Sequence, residues 1–409
     1  MRFQTVSAVE PQQTWICCQI GAREHYAIPR ALHSDGRLNS LLTDVWFKRV
    51  SVPGRRSAGR FHPALDRARV YSWNGAAVAR ELWQRARGQS GWEPVIARNH
   101  WFQRAAVGRL RAIRRRHPGE RFVFFSYSYA ARSLFEFAKE NGWLTVLGQI
   151  DPGRAEEEIV ASLERQTGLK GGSWMPAPDA YWDEWRAECA LADRILVNSE
   201  WSRQGLMMQG VPEEKLRVTP LVFEPSAEAC DFERSYPASF TAERPLRILF
   251  LGQVCLRKGI RIVMEAADRL AGLPVEIQIV GPIQIPLTSE QLAHSVLRWI
   301  GSVPRSAVGR YYREADLFLF PTFSDGFGLT QLEAQAWKLP LVVSRFCGQV
   351  IENGVNGLVL DPLSTDALTD TIRHLLKNPG ELPRMASRAE LRAEHKMDGL
   401  ADRLLAVTS

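Results

Sequence analysis

The residues with the most chemical promise fall in one stretch, Phe320-Pro-Thr-Phe-Ser-Asp-Gly-Phe-Gly-Leu-Thr-Gln-Leu-Glu333-Ala-Gln-Ala-Trp-Lys-Leu-Pro340. An apolar run stops at Pro321, a turn carrying Gly326 and Gly328 follows, and a helix opens near Leu329. Free N–H groups at a helix N-terminus, beside glycines that allow close backbone approach, form an anion site. A phosphate is therefore expected at this turn. Asp325 and Glu333 bracket it, and carboxylates accept hydrogen bonds from hydroxyls rather than ligate phosphate. Together they would hold a sugar and a ribose on either side of a diphosphate. A plainer reading stays open, in which Asp325 caps the helix and Glu333 sits on a solvated face.

Such residues need a frame, and the alternation of short β-type runs with amphipathic stretches predicts α/β layers around parallel sheets. In the first half, strands are expected at 14–20, 121–126, 145–150, 194–198 and 217–222, and helices at 23–35, 101–117 and 181–192. The second half repeats the alternation more regularly, with strands at 247–252, 275–281, 317–320, 339–344 and 358–360. The unbroken apolar run Ile248-Leu249-Phe250-Leu251 suits a strand buried on both faces. Between the halves, 223–245 loses periodicity and carries Pro225, Pro237 and Pro245, so it reads as a hinge linker. Two Rossmann-like domains are expected, 1–225 and 226–385, followed by a helical segment at 386–409. In such sheets ligands bind outside the carboxyl ends of the strands, which places the cleft between the domains.

Composition narrows the partner. The chain has 409 residues, 45% of them apolar and 24% charged, enough for more than one core and too apolar for wholesale disorder. The balance of 52 Lys and Arg against 45 Asp and Glu leaves +7, which favours anionic partners. Its six cysteines form no C-x-x-C pair, arguing against structural zinc or a disulfide framework and for a reducing compartment. The opening Met1 to Ser7 lacks a signal-peptide core, and no 18-residue apolar run occurs, so a cytoplasmic protein is expected. Nucleic acid is disfavoured as a partner because no helix-turn-helix, zinc pattern or strand-borne aromatic stacking motif is present. A dinucleotide oxidoreductase is disfavoured because no G-x-G-x-x-G follows the opening strand.

The span Asp325-x7-Glu333 resembles the Glu-x7-Glu motif of retaining glycosyltransferases of the GT-B fold, family 4 (group 1). Further matching pieces are Phe250-Leu-Gly-Gln-Val-Cys-Leu-Arg-Lys-Gly259, Ile279-Val-Gly-Pro282, Gly301-Ser-Val-Pro304, Ala315-Asp-Leu-Phe-Leu-Phe-Pro321 and Glu352-Asn-Gly-Val-Asn-Gly-Leu358. They occur in the family's order across 246–372. The resemblance implies transfer of a sugar from a nucleotide diphosphate sugar to a saccharide or lipid-linked acceptor, with no metal and no cofactor beyond that substrate. It implies that Lys258 holds the donor diphosphate, Glu333 the ribose and Asp325 the sugar hydroxyls. The loop Gly326 to Leu329 would meet the phosphates through the N–H groups of Phe327, Gly328 and Leu329, and Val303 and Pro304 would frame the base. Gln253 stands where the family often has Arg, and the neighbouring Arg257 would replace that charge. Asp325 is one methylene shorter than the family's Glu. A catalytically silent nucleotide-sugar-binding protein of the same fold is the alternative.

The resemblance is looser in the first half, where the acceptor would bind. The strand Trp15-Ile-Cys-Cys-Gln-Ile20 runs into Gly21-Ala-Arg-Glu-His-Tyr26, a turn that in GT-B enzymes approaches donor phosphate and acceptor. Gly21 permits close approach, while Arg23, Glu24 and His25 are candidate contacts or simply the surface of a first helical turn. Asp151 and Gln149, ending another strand at the same edge, resemble residues near the reacting carbon. Ser199 and Glu200 are expected to cap the next helix. Arg104, Arg109, Arg111, Arg114, Arg115 and Arg116 alternate with apolar residues, giving either a solvated helix face or a surface for an anionic membrane. The last helix would cross back to the first domain, as in GT-B enzymes.

Overall fold

The computed structural model describes residues 13–47, 59–168 and 175–408; the expectation for Met1 to Ser7 lies outside them. Among the described residues, the first domain contains β1 (Trp15–Gln19), β2 (Leu38–Thr43), β3 (Val70–Ser72), β4 (Val123–Tyr127), β5 (Leu144–Gln149), β6 (Arg194–Val197) and β7 (Leu216–Val218). The second contains β8 (Leu246–Leu251), β9 (Val275–Val280), β10 (Leu297–Gly301), β11 (Leu317–Phe320), β12 (Leu341–Ser344) and β13 (Gly357–Leu360). All pairings between these strands are parallel, in the orders β3-β2-β1-β4-β5-β6-β7 and β10-β9-β8-β11-β12-β13. Strand order reverses between β1 and β4 and between β8 and β11, the places where a doubly wound sheet opens a ligand crevice. These are two Rossmann-like α/β domains.

Burial on both faces explains the continuous apolar strands. In β1, Ile16 and Cys18 face a core with Phe102 and Leu134, whereas Trp15 and Cys17 face Tyr26, Leu32 and Leu404. In β8, Ile248 and Phe250 pack with Val263 and Ile372, and Leu249 turns to Tyr312 and Trp337. Helices cover the first sheet on both sides: α1 (Ala27–Ser34), α2 (Asn74–Ala86), α3 (Trp92–Arg116), α4 (Arg132–Glu140), α5 (Arg154–Thr167), α6 (Asp179–Leu191) and α7 (Glu200–Met208). The helix Leu400–Thr408 sinks Leu400, Leu404 and Val407 into the first domain's core. Its last turn is tied to the start of β1 by the Thr408 hydroxyl donating to Gln13 Oε1 at 2.6 Å.

Several local expectations need correction. The segment 23–35 is not one helix: Glu24, His25 and Tyr26 have φ of 49°, 50° and 61°, and regular α-helix starts at Ala27. Helix α3 begins at Trp92, nine residues before the expected start at 101, because Trp92 packs on Tyr181 and anchors an earlier turn. Strand β7 ends at Val218; the Thr219 N–H still donates to Val197 O at 2.8 Å, and 219–222 lies outside any strand. The proline-rich 223–245 is not a free hinge but a strap on the second domain. Arg234 donates to the carbonyls of Tyr312 and Trp337, each at 2.8 Å, and Arg244 forks onto Asp316 at 2.6 and 2.7 Å. Strands β2, β3 and β10 were not expected.

Candidate active site between the two sheets

Strand β11 delivers the chain into a loop that its neighbours fix at each step. Phe323 N–H donates to Arg257 O at 2.8 Å, and Asp325 N–H to Phe346 O at 2.9 Å. Gly328 has φ +82°, and a Cβ there would meet the Phe320 ring at 2.6 Å, so both backbone and space demand glycine. The helix Thr330–Ala336 follows. The Phe327 N–H is taken by Asp325 Oδ1 at 3.2 Å, whereas those of Gly328, Leu329 and Thr330 donate to nothing among the described residues. Of the expected backbone contacts, Gly328 and Leu329 therefore present free donors and Phe327 does not.

One turn into that helix, Glu333 faces a cavity of about 690 Å³ between the domains. The Tyr312 hydroxyl donates to its Oε2 at 2.8 Å and fixes its orientation. Burial raises the Glu333 carboxyl above the usual range. Leu251, Arg305, Gly309 and Trp337 line the same cavity from the second domain, and Glu24, His25, Arg30 and His62 from the first. Val303 and Pro304 do not reach it. They end the turn before Arg305–Ala307, and their successors Arg305, Ser306 and Val308 form the wall instead.

Lys258 lies in the tight turn Leu256–Lys258 after β8, buried. Its ammonium is paired with Asp325 and lies 4.8 Å from the centre of the Phe320 ring. Burial, then the neighbouring Arg257, pulls the Lys258 pKa down, which leaves the group responsive to any added negative charge. In this arrangement Asp325 faces the lysine, so a donor sugar or diphosphate would have to share or displace that pair. Arg257 is engaged as well, donating to Ser324 O at 2.7 Å and approaching Glu156 Oε2 at 3.4 Å. Gln253 is exposed beside it, and both line a second cavity of about 270 Å³ with Asp151, Glu156 and Tyr181.

Gly326 holds the domains together. A Cβ there would lie 2.0 Å from Ile150 O and 3.0 Å from Asn198 Nδ2. Its carbonyl accepts from the Ser199 hydroxyl and from Ser202 Oγ at 3.2 Å. Ser199 also caps α7 as expected, accepting from Ser202 N–H at 3.0 Å, and Glu200 is bound to Arg203 rather than to the helix end. Trp201 Nε1 donates across the gap to Ser324 Oγ at 3.1 Å. Sequence offered only the capping signal for Ser199, because the pairing spans 127 positions.

On the first domain, Gly21 N–H is already bound to Asp44 Oδ1 at 2.8 Å, an aspartate that also pairs with Arg60 at 3.1 Å. It has no free donor for a phosphate in this arrangement. Next to it, three consecutive non-glycine residues in the left-handed region form the cavity-facing turn Glu24 to Tyr26, a conformation costing about 1 to 3 kcal/mol per residue. His25 Nε2 sits 2.7 Å from Arg305 Nη2. A guanidinium can only donate, so His25 accepts there as the neutral imidazole. Burial, Arg305 and Arg30 lower its pKa, in agreement. Burial raises Glu24 to about 7. Asp151 has one anchored oxygen: Oδ1 accepts from the Tyr129 hydroxyl at 2.6 Å, Gln149 Nε2 at 2.9 Å and Gly153 N–H at 2.9 Å. Its Oδ2 takes no bond among the described residues. Glu188 caps the start of α4, accepting from the N–H groups of Tyr129 at 2.7 Å and Ala131 at 2.6 Å. Among the described residues, no group of three or more His, Cys, Asp or Glu comes together as a metal-binding set.

Residues 245–378, which hold Lys258, Asp325 and Glu333, match the family described as glycosyl transferases group 1. The second domain is a group 1 glycosyltransferase domain. Over most of its length the chain is also similar to the D-inositol 3-phosphate glycosyltransferase of Rhodococcus erythropolis, 24% identical over 385 residues that cover 86% of this chain and 77% of that protein. Among solved structures, Anabaena HepE in complex with UDP aligns at a TM-score of 0.61 and 13% identity, covering 97% of this chain and 99% of its own. Sucrose-phosphate synthase from Thermosynechococcus elongatus aligns at 0.62 and 15% identity, covering 97% and 98%. These likenesses make the two-domain architecture of the glycosyltransferase the GT-B fold. No helix among its described residues is long and apolar enough to cross a membrane.

Proposed function

We propose that this glycosyltransferase moves a sugar from a nucleotide diphosphate sugar to a saccharide or lipid-linked acceptor with retention of configuration, without a metal, in the cytoplasm. The observation that carries the reading is Glu333 at the wall of the 690 Å³ interdomain cavity, one helical turn from the free N–H groups of Gly328 and Leu329. The ribose hydroxyls bond to Glu333 and the base lies toward Arg305 and Trp337. The diphosphate takes the ammonium of Lys258 from Asp325, which then turns to the sugar hydroxyls. Charge developing on the departing diphosphate is met by these preorganised cations and dipoles. The bond from the anomeric carbon to the diphosphate oxygen breaks, the acceptor hydroxyl oxygen bonds on the same face, and its proton leaves on the diphosphate. Support for UDP as the nucleotide comes from the UDP bound to Anabaena HepE.

The test is transfer from a panel of nucleotide sugars by the wild type, Glu333→Ala and Lys258→Ala, with the product anomer assigned by proton NMR. Loss of most activity in both folded variants and retention at the anomeric carbon are expected. Full activity in both would remove the site assignment, and an inverted product would remove the mechanism. The Lys258–Asp325 pair also favours a second reading, a silent binding protein in which that lysine stays locked. Binding of UDP-sugars without any turnover would establish it. For membrane contact we propose the face of α3 that exposes Arg104, Arg111, Arg115 and Arg116. Gln at 111, 115 and 116 should weaken co-sedimentation with anionic vesicles, and unchanged sedimentation would dispose of the idea.

A further inference from the structure

Within the 690 Å³ cavity the two domains meet at a histidine and an arginine, His25 from the first and Arg305 from the second. The Arg305 guanidinium donates from Nη2 to His25 Nε2 at 2.7 Å, joining positions 280 residues apart. Arg305 starts the turn Arg305–Ala307 and is exposed, and among the described residues it has no carboxylate within ion-pair distance. A long exposed side chain without a partner samples many rotamers, so the imidazole is what selects one of them. That rotamer keeps the guanidinium at the nucleotide cavity, in the field of Glu333. Burial raises the Glu333 carboxyl, and the Tyr312 hydroxyl and then the Arg305 charge oppose that rise.

The first domain holds this imidazole in a costly position. His25 has φ 50°, between Glu24 at 49° and Tyr26 at 61°. Strain of this kind in non-glycine residues persists only where the surroundings over-determine it, and it gathers at functional sites. Tyr26 is pinned edge-on against Trp46 with ring centres 5.1 Å apart. Buried Arg30 donates to the His25 carbonyl at 3.4 Å through Nη1 and pairs with Glu224 through Nη2. Since Nε2 accepts from Arg305, the neutral ring carries its proton on Nδ1. A protonated ring would have no lone pair for Arg305 and would set like charges 2.7 Å apart. The charged and titratable groups that face His25 are Arg305, Arg30 of α1, Glu224 of the strap and His62, with Glu24 beside it in the turn. Burial first, then Arg305 and Arg30, favour the neutral ring, against Glu224. The contact is therefore in place above 6.5, the ordinary histidine value, and is lost as pH falls below it.

We propose, resting on the glycosyltransferase reading above, that His25 is a positioning residue for the donor: its neutral ring latches the first domain to Arg305 and aims that guanidinium at the nucleotide, and protonation of the ring releases both. With the latch set, Arg305 meets the nucleotide with its remaining N–H donors. With His25 charged, the guanidinium turns away and the cleft loses a bond between its walls. Proton and donor thus act on one contact, and each must weaken the binding of the other by the same factor.

Two measurements test it. In protein free of donor, NMR of isotope-labelled histidine rings follows the titration of His25, which should fall below 6.5 in the wild type and move up in Arg305→Gln. Calorimetry then follows UDP-glucose, whose diphosphate is esterified at both ends and keeps its charge, between about pH 5 and 8. Across that range wild-type affinity should drop by about 5-fold or more beyond any drop in His25→Gln, whose amide oxygen accepts from Arg305 at every pH. Glu24, Lys258 and Glu333 titrate in both proteins and cancel in the comparison. At the alkaline end His25→Ala should bind more weakly than the wild type, and His25→Gln should recover most of the loss. A His25 titration unmoved by Arg305→Gln, parallel pH profiles for wild type and His25→Gln, or equal loss in His25→Ala and His25→Gln overturns the latch. If UDP-glucose binds at no pH while His25 titrates as expected, the donor reading is what has failed, and the positioning role falls with it.

Discussion

Replacing Gly326 by Ala separates the role of domain docking from that of fold. The added Cβ would lie 2.0 Å from Ile150 O, where ordinary contact begins near 3.4 Å, so the two surfaces must part by roughly 1.4 Å. That movement breaks the bonds from Ser199 and Ser202 to the Gly326 carbonyl, worth about 1 kcal/mol each. Two kcal/mol shifts the docked arrangement by about 30-fold, and a misplacement near 1 Å costs about 100-fold in rate. We expect kcat/KM for transfer to fall by about 30- to 100-fold. Each sheet's own core is untouched, so the melting curve should barely move. Initial rates and differential scanning calorimetry on the same preparation read both quantities, with Ser199→Ala as a milder variant that adds no bulk. Wild-type kcat/KM in well-folded Gly326→Ala would refute the claim that this contact sets the active geometry.

Three further outcomes follow from buried groups. Glu24 has a folded pKa of about 7, above its ordinary 4.5, so the stability it contributes is fully present below the lower value and lost as pH rises through the higher one. Glu24→Gln should therefore match the wild type near pH 5 and exceed it near pH 8.5, by on the order of 1 to 3 kcal/mol in denaturant unfolding; a constant gap across pH would contradict this. Lys258 is held below the usual lysine range by burial, and an arriving diphosphate must pull it back up. UDP binding should take up protons between pH 7 and 9, seen as a buffer-dependent enthalpy that vanishes in Lys258→Met, and absence of uptake in the wild type would count against Lys258 meeting the diphosphate. Leu404, fully buried against the first domain, should cost about 2 to 5 kcal/mol when cut to Ala, while a surface-like change under 1 kcal/mol would show that the last helix does not hold that core.

Much of the frame was legible because strands buried on both faces leave continuous apolar runs, as in β8 and β11. The missed strands lack that mark: β2 reads Leu-Asn-Ser-Leu-Leu-Thr, β3 has three residues, and β10 carries Arg298. The left-handed turn at Glu24 to Tyr26 has no sequence signature, since none of its residues is glycine and its geometry is fixed by tertiary packing of Tyr26 against Trp46. In the candidate site, the Asp325 and Glu333 spacing was readable within one local segment. The clasp of Gly326 by Ser199, the pairing of Arg305 with His25 and the anchoring of Asp151 by Tyr129 join distant positions, and only the fold brings them together.

The proposed function places the donor nucleotide in the interdomain cavity with its ribose on Glu333. Isothermal titration of UDP into the wild type and Glu333→Gln tests it most directly, because Gln keeps the size of the side chain and the Tyr312 contact while removing the charge. Saturable binding to the wild type is expected, weakened by about 10- to 100-fold in the variant, in keeping with loss of charge-assisted hydrogen bonds. Equal affinity of the two proteins for UDP would contradict it.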